Sequence, residues 1–410
     1  MPLKRAKIFF VFLIMFAVFF FTNDFGLIDI EKTAIITAVG IDKGDNLEYT
    51  VTAQIAVPEA SNVSSENAKT HITGHGETVG SAIKNVGDVS GWFPNLSFCN
   101  LIILGSSFSQ DNVITVLDYF TKTLRIQDSA IVVLAQNKAS ELIEKSTPLD
   151  NISSFALQKV LLKNPGHDKD TATVDIKSFC MGYYSYTNSS YMPFVKGAEE
   201  SNESDGGSSG SSGSSMGALG SGSSGSLGSD NGLDGKGKAL FDARSTALFK
   251  NGKFVGVLTP DQTFMFNAIT KSVSASTVEI SDVPWSNGNK NFLLTIERNS
   301  PKIQLDIIDG QPVLNVHLDV YCKISDQNTD SSEHAYTKNY PLPTPVKEKA
   351  TELLTNQLDS LIQASISTDC DFLDLKLKLY RYHHDRYSQF KDSLLSVMKY
   401  SCSVNVTGQR

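Results

Sequence analysis

No two of the five cysteines (Cys99, Cys180, Cys322, Cys370 and Cys402) form a Cys-x-x-Cys pair. Their scatter excludes both the disulfide framework of a small secreted domain and the ligand spacing of a structural zinc site. An odd count leaves at least one thiol without a partner in the same chain. Cys322 and Cys402 fall on the apolar phase of predicted strands, where a thiol packs as a small hydrophobe. Basic residues are also scarce. The 36 Lys and Arg against 44 Asp and Glu give a net charge of -8, and the sequence pI is about 5.4. That balance excludes the basic face a nucleic acid requires. No fixed-period repeat is present, nor any pair of carboxylates placed to have their acidities tuned apart.

What the chain does have, at its start, is one apolar run. Ile8, Phe9, Phe10, Val11, Phe12, Leu13, Ile14, Met15, Phe16, Ala17, Val18, Phe19, Phe20 and Phe21 follow Lys4, Arg5 and Lys7, and the next charge is Asp24. Lipid offers no water to backbone groups, so such a run becomes a membrane helix or is buried by protein. The basic residues before it hold the N-terminus in the cytoplasm and export the remainder. The run is shorter than the roughly 20 residues of a spanning helix, and Leu3, Ala6, Thr22 and Asn23 can lengthen it. Thr22-Asn23-Asp24-Phe25-Gly26-Leu27 contains no small-x-small cleavage site, and no cysteine follows closely enough to carry a lipid. The expectation is an uncleaved membrane anchor within residues 1–26. A cleaved signal and a buried cytoplasmic helix are the alternatives.

A chain of 410 residues exceeds one hydrophobic core, so two or three domains are expected. Ala34–Asp42 reads as a buried strand. It is followed by turn chemistry at 43–46 and by Leu47–Ile55, whose period-two alternation is that of a strand covered on one face. Weaker alternation returns at 69–76. A helix follows over 77–86, then a strand at 98–104. Asp111 is placed to cap a helix with Val113, Val116, Leu117, Phe120 and Leu124 inside. Another strand (130–135) and a short helix (139–143) complete a mixed α/β first domain over 27–165. A second domain over 166–288 contains strand-like pieces between Val174 and Val195. It also contains a Gly/Ser tract, 201–237, whose composition predicts flexibility, and a hairpin, 247–258, turning at Asn251-Gly252. The third domain, 289–410, is α+β. Strands are predicted at 292–296, 302–308 and 315–324, then a long helix over 345–366 with Thr344 as cap, a shorter helix at 387–398 and a last strand at 400–406. The fold class expected is therefore α+β or mixed α/β. The extracytoplasmic protein would comprise three domains, each a mainly antiparallel or mixed sheet with packed helices, behind an N-terminal membrane helix.

Enzyme-like strings do not survive their context. Gly213-Ser214-Ser215-Met216-Gly217 fits Gly-x-Ser-x-Gly, and Gly220–Gly225 fits Gly-x-Gly-x-x-Gly. Both sit in the Gly/Ser tract, without the strand-to-helix setting either chemistry needs. His71 and His75 share a strand face but lack a third ligand at a known spacing. His383-His384-Asp385 lies between Arg381 and Arg386 in a charged surface stretch, and Glu199, Glu200, Glu203 and Asp205 read as solubilising. No catalytic residue, metal site or cofactor is expected. From the residues alone the chain is an exported binding or scaffold protein.

The ordered motifs carry a resemblance. Ala34-Ile35-Ile36-Thr37-Ala38-Val39-Gly40-Ile41-Asp42-Lys43, soon after an export signal, resembles the opening signature of the Ger(x)C family, the C subunits of bacterial spore nutrient-germinant receptors. Gly76–Ala82, Asn100–Gly105, Val116–Phe120, Arg125, Ile131–Ala135, and Thr246–Lys250 with Lys253–Leu258 are similar to successive family segments. The likeness spans nearly all of the exported chain. It implies three α/β-type domains on the outer face of the spore inner membrane, partnered by A and B receptor subunits and by the membrane. It implies no nucleic acid, no catalysis and no nutrient bound by this subunit alone. It also makes 201–237 a lengthened loop inside the second domain. Two departures stand out. The family's lipid-bearing cysteine is replaced by Asn23–Ile28, and Cys99 stands where the resemblance leads one to expect a histidine. A membrane-anchored solute-binding or sensory module is the alternative function, and an exported hydrolase the third.

Overall fold

β-Branched and apolar residues fill β1 (Thr33–Lys43), and nearly all of them are buried. In the computed structural model this strand lies at the centre of a large sheet. The structure describes residues 2–21, 33–44, 48–56, 71–122, 126–144, 153–162, 171–199, 239–285, 288–327 and 342–408. The Gly/Ser tract, with its two enzyme-like strings, lies outside these residues, as do Leu124 and Arg125.

The first sheet is mixed. β2 (Tyr49–Ile55) and β3 (His71–Gly76) pair antiparallel on one side of β1, and β5 (Leu101–Leu104) and β6 (Ile131–Ala135) continue in parallel on the other. β7 (Ser189–Glu199) pairs parallel with β6 and is followed by the antiparallel β8 (Ala239–Lys250) and β9 (Lys253–Leu258). Short β4 (Phe93–Asn95) runs parallel to the first residues of β1. Strands before and after residue 165 therefore share one sheet.

Both faces of this sheet are covered. Ile36, Val39, Ile41, Val51 and Ala53 pack with α2 (Val79–Ser90), α3 (Ile114–Lys122) and α6 (Ile176–Tyr184). Ala38, Leu101, Ile103, Ile131 and Val133 pack with α4 (Ala139–Glu144) and α5 (Ser153–Leu161). An irregularity between Ile36 and Ala38 lets Ile36 share a face with the odd-numbered Val39 and Ile41. Coverage on two sides corrects the one-sided reading of β2. Its polar positions Thr52 and Gln54 are buried, and Gln54 Oε1 accepts the amide of Ser154 at the start of α5 (2.9 Å).

The second sheet has the order β10 (Ser276–Trp285), β11 (Gly288–Ile308), β12 (Gln311–Gln327) and β13 (Lys399–Gly408). β12 and β13 are parallel, joined through α8 (Thr344–Ser367) and the short helices α9 (Leu375–Tyr382), α10 (His384–Phe390) and α11 (Leu394–Val397). Leu314, Val316, Leu318, Val320 and Cys322 alternate into a core with Val346, Ala350, Leu354, Leu358 and Leu361 of α8. That core continues through α7 (Pro260–Thr270) to Leu248 and Leu258 of the first sheet. The fold is thus mixed α+β, two sheets with packed helices.

Several expected elements change in detail. The strands expected at 292–296 and 302–308 are one strand, β11, with a register shift between Ile296 and Arg298. Pro301 is accommodated because β10 pairs β11 only as far as Ile296, so its missing N–H faces no partner strand. Asp111 does not cap α3. It pairs with Lys43 (2.6 Å), while Asn112 Oδ1 accepts the amide of Ile114 (3.0 Å). Thr344 is the first residue of α8 rather than its cap, which is Pro343. The single helix expected over 387–398 is α10 and α11, separated by a turn.

Candidate functional site

The expected anchor is helical. α1 runs Pro2–Phe21, and along it Phe9, Phe10, Val11, Phe12, Leu13, Ile14, Met15, Phe16 and Val18 are all exposed. Exposed apolar side chains in such a run are of the kind that lipid or protein covers. Among the described residues no helix is long and apolar enough to cross a membrane. In α1 the first two turns hold Lys4, Arg5 and Lys7.

A second arrangement is built at the C-terminal end of β1. Asp42 is buried, and its carboxylate accepts the amides of Ala139 (2.8 Å) and Ser140 (3.0 Å), satisfying the first orphan donors of α4. Gly40 lies against Ile143 and Ala139 of α4, where a Cβ would come within 2.8 Å of the Ile143 side chain. Gly105, after β5, makes room for the same carboxylate, because a Cβ there would overlap Asp42 Oδ1. Lys43 donates its amide to Ser107 Oγ (3.0 Å) and its ammonium to Asp111. Gly40, Asp42, Lys43 and Gly105, all within the segments that carried the resemblance, therefore hold three connections together.

The third arrangement joins the two sheets. Asp371, just after α8, is buried, and its oxygens accept the amides of Leu375 (2.8 Å) and Lys376 (2.7 Å) at the start of α9. Its own amide donates to Ser189 Oγ at the start of β7 (3.0 Å). Burial outweighs the two amide bonds and pushes the Asp371 carboxyl up to about 6. Lys250 pairs with Asp369, and Cys370 Sγ donates to the carbonyl of Phe249 (3.4 Å). Tyr186 stacks on Tyr380 at 4.3 Å, and Tyr387 meets both rings edge-on. A cleft of about 290 Å³ lies here, bordered by Ser189, Ser190, Tyr191, Asp371 and Asp374. Sequence reading missed this junction. Its charged and polar members come from segments 182 residues apart, and none belongs to a periodic pattern.

The remaining candidates stay apart. His71 and His75 lie on β3, where His75 Nδ1 meets Thr50 Oγ1 (3.2 Å). His383 Nε2 lies 2.9 Å from the Leu305 carbonyl, His384 packs edge-on against Tyr380, and Asp385 pairs with Arg386. Among the described residues no three metal-ligating side chains cluster. Burial pushes the thiols of Cys99, Cys322, Cys370 and Cys402 up to about 12 and that of Cys180 to about 11. Burial thus favours the protonated form of each thiol, as in packed structural cysteines.

Comparison with known proteins fits this layout. The family model for the spore germination protein N-terminal domain matches residues 27–197, and that for the C-terminal domain of GerAC-like and germination B3 proteins matches 244–409. Together they span both sheets. The chain belongs to the Ger(x)C family of spore germination proteins. Spore germination protein B3 of Bacillus subtilis (strain 168) is 21% identical over 370 residues, covering 88% of this chain and 86% of that protein. The crystal structure of the GerBC protein aligns with a TM-score of 0.49 at 15% identity, covering 93% of this chain and 99% of that one. For this Ger(x)C chain, Cys99 is a packed residue. It is fully buried, with its Sγ donating to the Leu101 carbonyl (3.5 Å).

Proposed function

We propose that this Ger(x)C chain is a non-enzymatic subunit of a spore germinant receptor, acting beside A and B subunits in nutrient-triggered germination. The observation that carries the reading is the tiling of both sheets by the two halves of one germination family, in chain order. α1 is read as the tether: it falls short of the length and apolarity of a spanning helix, and its apolar run would enter the spore inner membrane and hold the two-sheet body outside, beside it. Residues Ile8–Phe21 would lie in lipid where the family's lipid-bearing cysteine is replaced, and a retained helix could serve as well as or better than a single acyl chain. The packed, protonated thiols and the inward-turned Asp42 support a structural part over a catalytic one.

Deletion of the gene in its own spore-former, with paralogues removed, tests this. Nutrient-triggered loss of spore refractility should slow severely and recover on complementation. Unchanged germination overturns the proposal. The cleft at the Ser189–Asp371 junction favours one second reading, a membrane-held solute-binding module. Thermal stabilisation of the purified chain by a nutrient would support that reading instead.

A further inference from the structure

The end of the first sheet at which β1 begins carries exposed aromatic side chains. α2 is closed by Gly91 in the left-handed region (φ 72°), and the chain then turns outward through Trp92 into β4. The turn is fixed, since Ser90 Oγ accepts the Trp92 amide (3.2 Å) and donates to the Gly87 carbonyl (3.3 Å). Around it Val89 is 66% exposed, Trp92 49%, Phe93 38% and Phe98 58%. Between α2 and Tyr119 of α3 the same end opens a shallow cleft of about 600 Å³, reaching Ile83 and Leu96.

Topology places this surface beside the strand that follows α1 in the chain. Thr33, Ala34 and Ile35 of β1 pair with Phe93, Pro94 and Asn95. The strand that receives the chain from α1 is therefore bonded to the strand that begins at Phe93. Residues 22–32 connect Phe21 to Thr33, and fully extended they reach at most about 40 Å. A surface of Trp, Phe and Val on a rigid turn, held that close to the end of an apolar helix, has the chemistry of a bilayer interface. There an indole or phenyl ring sits at headgroup depth more favourably than in water.

We propose that Val89, Trp92, Phe93 and Phe98 form a second membrane contact, seating the body on the lipid–water interface beside the tether. The inference rests on α1 being in the membrane. It would turn the end of the body that carries β4 toward lipid and leave the junction around Asp371 and Tyr380 as a separate region of the body.

The chain has two tryptophans, and the other, Trp285, lies on β10 of the second sheet against Phe292. Full-length Trp285→Phe protein is reconstituted into vesicles of phosphatidylethanolamine and phosphatidylglycerol with brominated acyl chains, and Trp92 emission is read. Full-length Trp92→Phe protein, which keeps Trp285, serves as control. Flotation reports tethering independently. The expected result is that both variants float, Trp92 emission is blue-shifted and lost to bromine, and Trp285 emission is retained. A floating protein with unquenched Trp92 overturns this inference alone. A protein that does not float overturns the tether as well. Emission shielded only after other receptor subunits are added identifies a protein partner and also overturns the lipid contact.

Discussion

The contact between Asp42 and Gly105 makes a quantitative prediction. Replacing Asp42 by Ala leaves the first two amides of α4 without acceptors in a buried setting, on a helix of only six residues. Losing a cap and two charge-assisted hydrogen bonds should cost about 3 kcal/mol. Gly105 has φ -74° and ψ 163°, ordinary extended backbone, so Gly105→Ala introduces no backbone strain. Its cost arises from the overlap of the new Cβ with Asp42 Oδ1, and displacing that carboxylate should cost about 2 kcal/mol. Once Asp42 is Ala, the oxygen that the new Cβ meets is gone, and the next neighbour is the Ala139 amide at 3.3 Å. The double variant should therefore be about 1–2 kcal/mol less destabilised than the sum of the singles, because both act through one carboxylate. Urea unfolding followed by Trp92 emission in the Trp285→Phe background reads the sheet that contains both sites. Costs that add within about 0.5 kcal/mol would refute the shared-carboxylate account.

Other consequences are as direct. Native protein at pH 8 should leave all five thiols unmodified by an aromatic disulfide reagent, with Cys180 the first to react on partial unfolding and all five reacting in denaturant. Fast labelling of Cys322 in native protein would contradict its burial. Asp371 keeps its proton to a higher pH when folded, about 6 against 3.8, so between those values the native state binds more protons than the unfolded one. Its contribution to stability is therefore full at low pH and falls as pH rises through that window, by about 3 kcal/mol in all. Asp371→Asn should remove that decline, and superimposable stability–pH curves for the two proteins would exclude it. Gly252→Val at the turn between β8 and β9 should cost about 2 kcal/mol, since Gly252 has φ 73° and a Cβ there would strike Asn112, which holds the first amide of α3. An unchanged urea midpoint would refute this.

The fold was legible where one face decided the pattern. β12 shows Leu314 to Cys322 alternating inward as the sequence implies, and α8 lies within one residue of its expected limits at each end. Reading failed where burial was two-sided or the pattern was interrupted. α7 has every residue from Thr263 to Ile269 buried, so no apolar stripe stands out, although Thr259 with Gln262 forms a capping box and Pro260 opens the helix. α6 was hidden by the aromatic and small residues of its last turn, while Asp175 accepts the Ser178 amide as a helix cap. β11 reads as two strands because Asn299-Ser300-Pro301 looks like a turn. Only the early end of β10 explains why the strand continues.

The functional surface was less legible for a physical reason. Gly40, Asp42 and Gly105 stand out because close packing and a buried carboxylate permit few substitutes, and such residues specify a fold. They lie in the segments by which the chain resembles the Ger(x)C family, and their contacts are with the chain's own α4 and β5 connections. The residues suited to docking, Trp92, Phe93 and Phe98 at one end and Tyr186, Tyr380 and Tyr387 at the junction, belong to no periodic pattern. Their significance depends on which strands pair. Trp92 becomes a membrane candidate only once β4 is seen beside the first residues of β1. The two aromatic groups also differ in place, one beside the start of β1 and the other where the two sheets meet.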